Sequence, residues 1–155
     1  VAAAPAPWRR RRMKDREMNS DIRWKQRFDN FERSFVLLRE VCERGVDSLS
    51  QLEKEGAIQR FEVAFELAWK TLKDYLEEGG VIVSPITPRN VIKEAFAAKL
   101  LEEAQVWIDM MLHRNLLSHT YDLKVFETVL RAVEGRYFPV LARLHGLFLQ
   151  QRSEA

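Results

Sequence analysis

Apolar residues recur along most of this chain at intervals of three and four, the period of a helix packed on one face. The first stripe is Phe28, Phe31, Phe35, Leu38 and then Val41 or Cys42. Asn19, Ser20 and Asp21 precede it and are good N-cap residues, so a helix is predicted to start there and to stop at Gly45. A second stripe runs through Phe61, Phe65, Ala68, Leu72 and Tyr75 or Leu76. It follows Ser50-Gln51-Leu52-Glu53, a capping-box pattern. Gly56 is expected to delay or bend this helix, and Gly79-Gly80 to end it. Its polar stripe, Glu62, Glu66, Lys70 and Lys73 or Asp74, reads as a solvated face, with Glu66 and Lys70 in the favourable order.

After a short extended link over 81–85, Thr87-Pro88 supplies an N-cap and a first-turn proline. A short third helix is predicted through Val91, Ile92, Ala95 and Phe96, closed by Leu100 and Leu101. A fourth starts near Glu102-Glu103 and carries Trp107 with Met110 or Met111 as core. Asp122 caps a fifth, whose stripe is Phe126, Val129 or Leu130, Val133, Tyr137, Val140 or Leu141, Leu144 and Phe148. The Pro139 ring would meet the carbonyl of Gly135, so a kink or break is expected there. His145 follows this stripe and is expected at the surface or its boundary. Strand-like alternation is missing. The predicted fold is all-α, an up-and-down helical bundle of four long helices plus one short helix.

Composition changes this picture little. A chain of 155 residues with 46% hydrophobic content is about one globular domain, and six Gly and five Pro leave little material for loops. The lone Cys42 permits no internal disulfide, so a cytoplasmic setting is expected. Cys42 reads as core, without a nearby His to make it a nucleophile. No apolar run of membrane-spanning length occurs.

Charge is uneven. Residues 1–20 carry +4 while the whole chain carries +2, leaving −2 for residues 21–155, so a global basic footprint for nucleic acid is absent from the folded part. Residues 1–19 are expected to be a disordered or extraneous basic tail, and residues 20–152 the bundle domain. The tail is either an arm that grips phosphates or an over-long gene start, the second being favoured. No Gly-rich phosphate loop, paired-Cys zinc spacing or GxSxG motif is present. Neither a cofactor nor a metal site is expected. Glu62 and Glu66 would make a poor metal pair because no His joins them at helical spacing.

One octet does not fit helical logic: Arg114-Asn115-Leu116-Leu117-Ser118-His119-Thr120-Tyr121. It gathers polar chemistry where an apolar pattern ends. Arg offers a planar fork of donors that matches phosphate oxygens. His gives and takes protons near neutrality. Asn can orient a ligand or the imidazole. The set suffices for metal-independent RNA cleavage, in which a base deprotonates the ribose 2′-hydroxyl and a cation stabilises the charge that develops. The bland alternative is a dipole-complementing helix end. One His is too few for an acid and a base. Either His113 assists, or a two-fold dimer brings two octets together; the dimer is preferred.

Arg114 and His119, with four residues between them, resemble the Arg-x(4–6)-His signature of the HEPN superfamily. Asn115 after the Arg and the His-x-Tyr ending resemble its HepT-like branch, the nucleotidyltransferase substrate-binding subunit family. Gln59-Arg60-Phe61-Glu62, the run Phe65-Glu66-Leu67-Ala68-Trp69-Lys70-Thr71-Leu72-Lys73, Ser84-Pro85, and Trp107 ahead of Met110-Met111 agree with it. The resemblance covers roughly residues 22–149.

It implies a helical bundle that dimerises at its motifs and associates with a minimal nucleotidyltransferase encoded alongside. It implies a ribonuclease toxin with RNA as substrate, with Arg114 and His119 catalytic, Asn115 supporting them, and Tyr121 receiving AMP from the partner as neutralisation. The alternative it carries is a non-catalytic subunit that binds substrate or nucleotide for the nucleotidyltransferase. Trp69, Lys70 and Lys73 are expected at a dimer or partner interface, on the premise that Trp69 is exposed.

Overall fold

The computed structural model describes residues 7–154, with side chains from Ile22 onward. Six α-helices follow one another: α1 (Pro7–Arg44), α2 (Gln51–Glu78), α3 (Pro88–Ala97), α4 (Ala104–Leu117), α5 (Leu123–Ala132) and α6 (Phe138–Glu154). A 3-10 turn, Val46–Ser48, lies between α1 and α2, and a wider π turn, Val133–Tyr137, joins α5 to α6. Strands are absent among the described residues. Counting α5 and α6 as one broken helix, this is the expected all-α bundle of four long helices and one short one.

The stripes account for the core. Phe28, Phe31, Phe35 and Leu38 of α1 and Phe61, Phe65, Ala68 and Leu72 of α2 are buried, and they meet Val129, Tyr137, Leu141 and Phe148. Trp24 joins them, edge-on to Tyr75 at 5.2 Å and 5.7 Å from Phe148. The predicted cap of α2 is present: Ser50 Oγ accepts from Glu53 N at 3.2 Å, and Glu53 Oε1 accepts from Ser50 N at 3.0 Å. With Arg44 against it as well, the Glu53 carboxyl is lowered to about 2. Thr87 caps α3 and Asp122 caps α5, as expected. Gly45 ends α1 with φ +82°, a conformation that favours glycine.

Several expectations need correction. Helix α1 does not begin near Asn19; it runs back to Pro7. Of the tail expected over 1–19, residues 1–6 lie outside the described residues and 7–19 belong to this helix. Gly56 does not delay α2, which starts at Gln51 where the capping box of Ser50 and Glu53 sets its first turn. The period of Phe96 predicts a core position, but the residue is 50% exposed.

Asp74 is not on a solvated face. It is buried, 3.0 Å from Arg27 Nε and 3.3 Å from Lys73 Nζ. Two cations beside a buried carboxylate offset much of its desolvation.

The break before Pro139 is the π turn. Widening the turn lets the chain pass the proline without the clash that a regular ladder would force. Two of its side chains reach α4. Arg136 Nη2 donates to Asp109 Oδ2 at 2.8 Å and the Tyr137 hydroxyl lies 2.7 Å from His113 Nδ1. Both partners are on α4, one helical turn apart. Glu134 accepts from Val46 N at 2.8 Å, tying the α1–α2 connection to the same turn.

Candidate functional site

Helix α4 buries Trp107, Met110, Met111 and Leu117. The octet is its last turn plus the corner to α5. Ser118 N and His119 N bond back to Asn115 O and Leu116 O at 3.2 and 3.0 Å, and Asp122 opens α5 through a 2.8 Å bond from Lys124 N. Leu112, Asn115, Leu116 and His119 recur at i, i+3, i+4 and i+7, and all are exposed. Arg114 lies between this outer face and the buried one.

Arg114 is held inside the chain. Its Nη1 donates to Ser118 Oγ at 3.0 Å, one turn ahead. Its Nε lies 3.9 Å from Glu66 Oε2 on α2. That distance is Coulombic contact, too long for a hydrogen bond, and Nε has no hydrogen-bond partner although it is buried.

Glu66 is itself fixed. Trp69 Nε1 donates to Oε2 at 3.0 Å, and Lys70 Nζ sits 3.2 Å from Oε1. Burial raises the Glu66 carboxyl. The hydrogen bonds from Trp69 and Lys70 and the charges of Lys70 and Arg114 outweigh burial and hold it below the ordinary carboxylate value. So α2 supplies a fixed anion, and α4 supplies the guanidinium that faces it.

His119 and Tyr121 are the opposite case. Among the described residues no side-chain partner is recorded for the His119 imidazole, and the residue is exposed. Tyr121 is 82% exposed and stands edge-on to Phe126 at 5.5 Å. Below it is an open cavity of about 550 Å³ whose walls include Leu52, Glu55, Gln59, Glu62 and Leu117. His113 does not join His119. It turns to Tyr137, and burial pushes its pKa down. Among the described residues no group of three His, Cys, Asp or Glu side chains is placed to hold a metal ion.

The structure therefore brings Arg114 together with Ser118, Glu66, Trp69 and Lys70, and leaves Asn115, His119 and Tyr121 facing outward. The premise that Trp69 is exposed is corrected: it is 9% exposed and bonded to Glu66. Lys70 is ion-paired with Glu66, and Lys73 is paired with Asp74 and Glu77. Sequence reasoning missed the Glu66–Arg114 contact. Local periodicity fixes a residue's face, not the register between two helices 48 positions apart. The Ser118 contact was legible in principle, since Arg and Ser four apart share a face.

The α-helical bundle and its Arg-x(4)-His corner agree with a HEPN-like architecture. The chain belongs to the family described as nucleotidyltransferase substrate binding protein like, whose model matches residues 26–150. It is 33% identical over 70 residues to the probable ribonuclease HepT of Haemophilus influenzae, a match that takes in 43% of this chain and 48% of that protein. The chain thus spans about half the length of the curated relative it matches. It is also similar to a protein of Thermus thermophilus known from its crystal structure, with 31% identity and a TM-score of 0.67 over 75% of this chain and 96% of the other.

Proposed function

We propose that this chain is the HEPN subunit of a two-gene toxin–antitoxin system, a metal-independent endoribonuclease neutralised by AMPylation by its partner nucleotidyltransferase. The observation that carries this reading is the one-sidedness of the corner. Arg114 is anchored within the chain, while His119 and Asn115 share an outer face with Leu112 and Leu116. Exposed Leu112, Leu116, Leu123 and Leu52 surround the motif with apolar surface that a second copy would cover. In the dimer one His119 takes the proton of the ribose 2′-hydroxyl. That oxygen attacks phosphorus, the bond to the 5′-oxygen breaks, and the second His119 protonates the leaving oxygen. Arg114 stabilises the charged phosphorane. Products are a 2′,3′-cyclic phosphate and a 5′-hydroxyl end.

The exposure of Tyr121 suits modification. Its hydroxyl attacks the α-phosphorus of ATP and releases pyrophosphate, leaving an AMP ester two residues from His119. The alternative, a non-catalytic substrate- or nucleotide-binding subunit, draws support from the family's description. The cavity under Tyr121 has a volume suited to a nucleotide, yet its walls carry Glu55 and Glu62 and no cation, which disfavours phosphates there. In this reading Trp69 and Lys70 support Glu66, and Lys73 neutralises Asp74.

The test is incubation of the purified chain with RNA in chelator. Cleavage with cyclic-phosphate ends is expected, reduced about 10²- to 10⁴-fold in His119→Ala. RNA left intact, or equal cleavage by that variant, overturns the reading. With ATP and the nucleotidyltransferase, the mass of one AMP is expected on Tyr121 and cleavage is expected to stop.

A further inference from the structure

Most basic side chains of the bundle are consumed by ion pairs: Arg39, Arg44, Arg60, Arg131, Arg136, Arg143 and Arg152 each face a carboxylate. One segment breaks the rule. Arg89, Lys93 and Lys99, on α3 and just past its end, are exposed and take part in no ion pair among the described residues. Arg23, Arg33 and Lys124 also lack one, but the first two are ten residues apart on α1 and the third is on α5.

On α3 the cations are clustered and ordered. Arg89, Lys93 and Phe96 fall at i, i+4 and i+7, so they form one stripe, and Phe96 stands half-exposed within it. Lys99 follows two residues past the helix end, exposed and in a left-handed backbone position with φ +62°. Its flanking bonds, Lys99 N to Phe96 O and Leu100 N to Ala95 O, close α3 in the manner for which glycine is the usual occupant. A lysine there adopts a backbone conformation that its side chain disfavours.

We infer that the outer face of α3, Arg89, Lys93, Phe96 and Lys99, is a binding surface for single-stranded RNA, the cations meeting successive phosphates and Phe96 stacking on a base. The proposal rests on the ribonuclease reading and adds a substrate-holding surface to it. Alternation of cations with an exposed aromatic ring is the arrangement that tracks a single strand without reading its sequence. A protein interface is the poorer fit, because lysine is depleted where proteins bury surface against one another. Helix α3 packs on α2 and α4, the two helices that carry Glu66 and Arg114, so a strand held on α3 lies on the same framework as the motif.

The probe is a labelled 2′-O-methyl oligoribonucleotide, which lacks the attacking hydroxyl, titrated against the full chain over a range of KCl. In Arg89→Ala/Lys93→Ala/Lys99→Ala, losing three phosphate contacts makes the negative slope of log K against log salt shallower by about 2. The arginines at 9–12 are present in both chains and cancel in the difference. Phe96→Ala weakens binding about five-fold or more with the slope unchanged. Lys99→Gly raises the melting temperature while weakening binding, a combination that a structural lysine would not give.

Unchanged slope and affinity in the triple variant overturn the inference. So does loss of nucleotidyltransferase binding with RNA binding intact, which would make the face a protein dock. Wild-type cleavage that the triple variant matches in KM sinks this surface and leaves the ribonuclease reading standing. Slope changes as expected without cleavage sink the ribonuclease reading and leave the surface.

Discussion

Replacing Glu66 by Gln keeps the shape of the side chain and removes only its charge. In the native chain that charge faces Lys70 Nζ at 3.2 Å and Arg114 Nε at 3.9 Å. Opposite unit charges 4 Å apart attract by about 4 kcal/mol at an effective dielectric near 20. Both side chains of the Glu66–Arg114 pair are about one-third exposed, at 33% and 32%, so solvent screens much of this. The net coupling is then about 1–2 kcal/mol, with a few tenths more from the helical pair with Lys70. For a chain of this length that corresponds to a melting-temperature loss of about 3–8 °C at pH 7.

The sign of the pH dependence follows from the direction of the shift. The folded-state carboxyl lies below its ordinary 4.5, so Glu66 contributes stability above that value and loses it as pH falls through the lowered one. The deficit of Glu66→Gln is therefore full at neutral pH and closes in acid. Thermal melts of wild type, Glu66→Gln, Arg114→Ala and the double variant, at pH 7 and in acid, measure the coupling directly. Activity supplies a second reading. If Glu66 positions the guanidinium, Glu66→Gln lowers kcat about tenfold with little change in KM, and Trp69→Phe, which removes the indole donor together with part of a buried ring, lowers it less. Additivity of the single variants within about 0.3 kcal/mol would refute the reasoning.

Two further outcomes follow from the same kind of reading. Burial, helped by the charges of Glu134 and Glu43, pushes the Cys42 thiol from 9.0 up to about 11. Alkylation at neutral pH should run about a hundredfold slower than in the urea-unfolded chain, and equal rates would contradict the burial. His113 is lowered from 6.5, by burial first, with the Arg136 charge adding to it and Asp109 opposing. The unfolded chain therefore takes this proton first, stability falls as pH drops through 6.5, and an NMR titration should place the His113 midpoint below that value.

The parts of the fold legible in the sequence are those fixed by local chemistry. A capping box needs only Ser50 and Glu53, and the stripes of α1 and α2 need only spacing. What failed depended on partners. Asp74 continues the polar stripe of α2 by period, but α1 brings Arg27 across it and turns that position inward. Phe96 has the spacing of a core residue, yet α3 has one packed side and the ring falls beyond it. Trp24 belongs to the stripe of α1, four residues before Phe28, and a helix start near Asn19 leaves too little of the helix ahead of it for the pattern to show. The octet was visible as a break in pattern. Its anchor was not, because Glu66 also has a sufficient local partner in Lys70, and nothing in that pairing announces a third charge.

The π turn shows how a visible feature can hide its purpose. Pro139 predicts a break in the last helix, and the break is there. The proline does not predict that the widened turn sends Arg136 and Tyr137 to Asp109 and His113. These two contacts lie four residues apart on α4, and the second is next to Arg114. A helix held at two points one turn apart is fixed in both rotation and translation. The rotation of α4 decides whether Arg114 meets Glu66 and whether Asn115 and His119 face outward. The break that Pro139 imposes thus sets the aim of the corner through direct contact with α4, and His113, the less favoured candidate for a second acid–base group, is instead part of that clamp.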